Sequence, residues 1–140
     1  MLAETHDGYQ NLLRLVSLSY LEGFYYKPRM DKASLREFGK GLIALSGCLR
    51  GEIPKALQMH DEEKAIALVA EYQEIFGKEN FFLELVHHPE SPTQNEVNEK
   101  LVALSKKTGA PLVGTKDVHY LQQDDSEAQD VLQCIHDGKL

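Results

Sequence analysis

Positive charge, cysteine and long apolar runs are all scarce in this chain, and each scarcity closes off a class of function. Its 15 Lys and Arg against 22 Asp and Glu leave a formal net charge of −7. A strong general affinity for nucleic acid is therefore not expected, and any DNA contact has to be local or supplied by sequence outside these 140 residues. Two cysteines, Cys48 and Cys134, make a poor disulfide framework and suit a reducing cytoplasm. No apolar run approaches the roughly 18 residues of a transmembrane helix, so no membrane partner is expected. The opening MLAETHDGYQ lacks the basic stretch and apolar core of a secretory signal. Repeats and low-complexity linkers are missing too. What remains, 42% hydrophobic and 26% charged, is the composition of one soluble globular domain or part of a larger one.

The apolar periodicity alternates between helix and strand. Asp7 to Leu21 reads as a helix capped by Asp7, with Tyr9, Leu12, Leu13, Val16 and Tyr20 as its buried stripe. Pro28 interrupts the loop after it, and Asp31 caps a short helix from Lys32 to Phe38. Leu42 to Leu45 is a compact apolar run between glycines, hence a buried strand. Ile53 to Met59 is a short helix that admits Pro54 in its first turn. Glu62 to Phe76 is the clearest helix, with Ala65, Leu68, Val69, Tyr72 and Phe76 inward. Phe81 to Val86 is a second strand. Thr93 and Glu96 have capping-box spacing at the start of a helix running to about Thr108. Leu112 to Gly114 reads as a third buried strand, and Asp125 caps a last helix from Ser126 to about Ile135 with Cys134 on its inner face. Strands separated by helices imply parallel pairing, an α/β fold in which three strands alone make too small a sheet.

All three strand ends carry residues able to bind metal. Cys48 comes after the first, His87 and His88 after the second, and Asp117 and His119 after the third. That edge is where barrels and open α/β sheets build their sites. Asp117 and His119 are two apart, so an extended chain turns both to one side, as a zinc-type or first-row metal site needs. Cys48 is expected to converge with them on one pocket. His87 and His88 are adjacent and point apart, and a solvated loop accounts for both. His6, His60 and His136 fall at helix ends or in loops and need no functional role.

Five segments, GYQNLLRLVS, EGFYYKPRMD, KGLIALSGCLRGEIPKAL, YQEIFGKENFFLEL and APLVGTKDVHYLQQDDSEAQDVLQCI, resemble in order the polymerase-and-histidinol-phosphatase (PHP) domain of the alpha subunit of bacterial replicative DNA polymerase III. The resemblance spans essentially all of the chain. It implies a partial, distorted PHP-type α/β barrel with parallel strands and flanking helices. It also implies that Cys48 of SGC, with Asp117 and His119 of KDVH, are ligands of a divalent metal cluster of zinc, manganese or magnesium. The family's other ligands belong to an upstream region with a His-x-His motif, which is not among these residues. Lys116 stands where the family often has Asn, and beside a cation cluster it is repulsive unless it turns outward.

Three functions come from the resemblance and the residues together. The first is a metal-dependent phosphoesterase site, a 3′–5′ exonuclease in family members that keep it, within a DNA-directed DNA polymerase. The second is a scaffold bracing the polymerase and contacting a proofreading subunit. The third, a plain α/β interaction module, leaves the three strand ends unexplained. The implied partners are DNA, through the full-length protein, and other subunits of the polymerase III holoenzyme. These residues alone are expected to be inactive, and marginally stable or self-associating, because part of a barrel leaves strand edges and a sheet face bare.

Overall fold

Seventeen buried apolar side chains form a single cluster around the central strand of a four-stranded sheet in the computed structural model, which describes residues 1–139. The elements run β1 (Leu2–Ala3), α1 (His6–Leu21), α2 (Lys32–Phe38), β2 (Leu42–Leu45), α3 (Glu52–Gln58), α4 (Glu62–Phe76), β3 (Phe81–Val86), α5 (Pro92–Thr108) and β4 (Leu112–Thr115). A 3-10 turn at Gln123–Asp125 then leads into α6 (Ser126–Asp137). The sheet order is β1-β2-β3-β4. The pairs β2–β3 and β3–β4 are parallel, bridged by α3 with α4 and by α5, while β1 pairs antiparallel with β2. This is the mixed α/β architecture of a partial barrel.

β3 supplies the middle of the core because alternate residues of a strand face opposite sides. Phe81 and Leu83 are 1% and 0% exposed. They meet Val97, Leu101 and Leu104 of α5 and Ala65 and Val69 of α4, all within the same cluster. Tyr72 of α4 stacks on Phe81 with ring centroids 5.2 Å apart. α4 occupies the span its periodicity dictates, capped by Asp61, which accepts from Lys64 N, and stopped at Gly77.

Several expectations are corrected. α1 buries Gly8, Leu15 and Ser19, and of the expected stripe Leu12 alone packs against the core: Tyr9, Leu13, Val16 and Tyr20 are 44–60% exposed. The reason is close approach. A Cβ on Gly8 would overlap the carbonyl oxygen of Gly41, so only glycine lets the helix seat there, and that contact sets its rotation. Its N-cap is Thr5, whose hydroxyl accepts from Gly8 N at 3.0 Å, rather than Asp7. α5 is capped by Ser91 with Pro92 at its first position, and Glu96 pairs with Lys100 instead of closing a capping box. β4 is an edge strand with Leu112 and Gly114 exposed, not a buried one. α6 buries none of its residues, Cys134 included, and among the described residues its one substantial neighbour is the 3-10 turn. No helix among the described residues is long and apolar enough to cross a membrane.

Candidate functional site

Parallel strands that are neighbours in a sheet end side by side, so the loops leaving β3 and β4 share one edge. The ladder extends one residue past β3, where His87 N donates to Thr115 O at 2.9 Å. Thr115 also donates its hydroxyl to Glu84 Oε1 at 2.8 Å, tying the end of β4 to the central strand. Beyond these ties the two loops diverge and leave an open groove lined by His87, His88, Glu90, Lys116, Asp117 and His119, among others. Within it His119 Nε2 lies 3.2 Å from Asp117 Oδ1. Both side chains are more than half exposed, so the pair contributes little to stability. Its interest is geometric: carboxylate and imidazole face the same groove.

Cys48 occupies the same edge but not the same groove. It is exposed, in a turn closed by Gly51 N donating to Cys48 O at 2.8 Å, and it is not among the groove's lining residues. Sheet order and register explain the separation. β3 stands between β2 and β4, and β2 ends level with Phe82, four residues before Val86, which faces the end of β4. His87 and His88, read from the sequence as solvated, are exposed and yet both line the groove beside Asp117 and His119. The adjacency of β3 and β4 is the signal that groups them, and it is a property of sheet order rather than of local sequence.

Imidazole and carboxylate oxygen are the right donors for zinc or manganese. In number they fall short: among the described residues no group of three His, Cys, Asp or Glu side chains stands close enough to hold an ion. The donors fit in kind and make an incomplete set.

A second polar cluster lies beside the end of β2. Lys32 Nζ reaches Glu71 Oε2 at 2.7 Å and Glu52 Oε2 at 3.0 Å, and Tyr72 donates its hydroxyl to Glu52 Oε2 at 3.0 Å. Burial, reinforced by the Glu52 carboxylate, pushes the Tyr72 phenol up to about 12. Burial works against both ions of the Lys32–Glu52 pair. The hydrogen bonds to Glu71 and Glu52 outweigh it at Lys32, which titrates above its ordinary range. The bonds from Lys32 and Tyr72 outweigh it at Glu52, which is held below its own. These groups form a structural clamp between α2, α3 and α4.

A family profile for the PHP domain matches residues 1–88. The DNA polymerase III subunit alpha of Thermus aquaticus is 46% identical over 135 residues, 96% of this chain and 11% of the relative. That of Borreliella burgdorferi is 43% identical over 138 residues, 99% of this chain and 12% of the relative. The counterpart from Helicobacter pylori strain J99 is 39% identical over 149 residues, 99% of this chain and again 12% of the relative. The chain therefore spans only a small part, 11–12%, of the length of each of these proteins.

Proposed function

The chain belongs to the PHP domain family, and from that premise we propose that it is the C-terminal portion of the PHP domain of a bacterial replicative DNA polymerase III alpha subunit. Identity of about 40% with that subunit along nearly the whole chain is the observation that carries the reading. The N-terminal portion of the domain and the polymerase domains then lie outside these residues. The full-length protein would be a DNA-directed DNA polymerase of the cytoplasm, working on DNA with the other holoenzyme subunits. These 140 residues alone would have neither polymerase nor nuclease activity.

Within that protein the edge of the sheet is proposed as part of a metal-dependent phosphoesterase site with 3′–5′ exonuclease activity. Asp117, His119 and Cys48 would be ligands, and His87 or His88 could join them from across the groove. A divalent cation bound there supplies an activated water and neutralises charge on a leaving oxygen. Asp117 Oδ1 and His119 Nε2, 3.2 Å apart, would present their donor atoms to the same volume. Cys48, two strands away, would need a second ion or a ligand from the rest of the domain.

The alternative, a scaffold that has lost its metals, is favoured by the exposed apolar face of α1, which suits contact with another surface. Elemental analysis of the full-length subunit separates the two. The enzymatic reading expects stoichiometric zinc or manganese, and Asp117→Ala together with His119→Ala to lower metal content and exonuclease rate while leaving polymerisation intact. A well-folded subunit that contains no metal and degrades no 3′ end rejects it.

A further inference from the structure

The loop between α1 and α2 places its aromatic side chains in water. Phe24, Tyr25 and Tyr26 are 56%, 62% and 82% exposed. Tyr26 has φ of +60°, a left-handed conformation that bulky residues rarely adopt. The loop is nonetheless well closed. Tyr25 N donates to Lys27 O at 3.2 Å, and Gly23 packs where a Cβ would overlap the Arg29 carbonyl oxygen. Tyr25 and Tyr26 stand edge to face at 4.6 Å, and the Arg29 guanidinium lies 5.1 Å from the Tyr25 ring. An outlier conformation that turns a ring away from the core points toward use of that ring.

Charge narrows the ligand. In a chain with seven more acids than bases, residues 24–36 carry Lys27, Arg29, Lys32 and Arg36 against Asp31 alone. Lys32 and Arg36 are engaged by Glu52, Glu71 and Glu74. Among the described residues, no carboxylate pairs with Lys27 or Arg29. The last residue of the loop, Met30, reaches the end of β2, where it lines a pocket with Ser46 and Arg50. We propose that the Phe24–Met30 loop is a stacking platform for a single-stranded nucleic acid, with the Tyr25 and Tyr26 rings taking bases and Lys27 and Arg29 taking phosphates. Rings interleaved with cations are how proteins hold single strands without reading sequence. Duplex bases, already stacked, cannot use the rings.

Binding of this kind needs no metal, so it is tested with chelator present on the 140-residue chain, shown to be folded by circular dichroism and held below the concentration at which sedimentation detects self-association. Fluorescence anisotropy of labelled twelve-residue oligo-dT is measured against protein concentration, with a blunt duplex of equal length as comparison. Binding of the single strand over the duplex is expected, with a log–log salt slope of about −1.4 for two phosphate contacts. Tyr26→Gly is the decisive variant, because glycine suits the left-handed backbone and deletes only the ring. It should weaken binding about tenfold with the melting temperature unchanged or raised, whereas Tyr26→Phe should bind as the parent does. Absence of binding, equal affinity for duplex, or Tyr26→Gly binding undiminished would each overturn the proposal. Loss of affinity in Lys27→Ala with none in Tyr26→Gly would also overturn it, leaving a phosphate contact without stacking.

Discussion

Tyr72, Glu52 and Lys32 are three touching side chains through which the fold responds to pH. Tyr72 and Lys32 both titrate above their ordinary values of 10.0 and 10.5 in the folded chain. Their contribution is therefore complete at neutral pH and is lost as pH rises, for Tyr72 between about 10 and about 12. Glu52 is shifted downward, so its contribution is present above 4.5 and is lost as pH falls through its folded value. A thermal melting series across alkaline pH should show a falling midpoint, and Tyr72→Phe should flatten the fall without abolishing it, since Lys32 remains. Identical alkaline slopes for the parent and Tyr72→Phe would contradict this account. Gly8 gives a second test at this scale. With Gly41 O standing where its Cβ would be, Gly8→Ala should destabilise by about 1–3 kcal/mol, although alanine is the better helix former. Denaturant midpoints measure it.

The helices differ in how firmly they are held. α5 presents Val97, Leu101 and Leu104 at 0–1% exposure to the central strand, and Leu101→Ala should cost about 2–5 kcal/mol by leaving a cavity. α6 has twelve residues and none buried, a length at which an isolated helix is marginal in water. Its amides should exchange with deuterium far faster than those of β3 and α5, and equal protection would show packing that the fold does not provide. The same contrast explains what the sequence disclosed. α4 and β3 were legible to the residue because their apolar spacing agrees with burial on one side, and Gly77 marks where α4 stops. α1 was legible as a helix but not in its facing, since two stripes satisfy the spacing. A glycine contact with Gly41, 33 positions away, chose the one with fewer aromatics. β1, two residues paired antiparallel to β2, has no local signal at all. Asp117 with His119 was legible because both sit on one stretch, whereas grouping them with His87 and His88 required knowing which strands are neighbours.

Taken whole, the molecule is well packed around β3 and bare on its outside. Tyr9, Leu13, Val16 and Tyr20 on α1 and Val131, Leu132 and Ile135 on α6 are 44–71% exposed. Contiguous apolar surface of this kind promotes association. Sedimentation at rising concentration should therefore show reversible self-association of the 140-residue chain. A monomer at every concentration would mean that these faces tolerate water without cost.

β4 has a consequence of its own. Among the described residues it is the last strand of the sheet and pairs only with β3, and its sequence, Leu-Val-Gly-Thr, contains neither proline nor charge. Pro111 and Lys116 stand just outside it, like bookends around an empty slot. A polypeptide that joins the sheet on this side is laid directly against the strand that leads to Asp117 and His119.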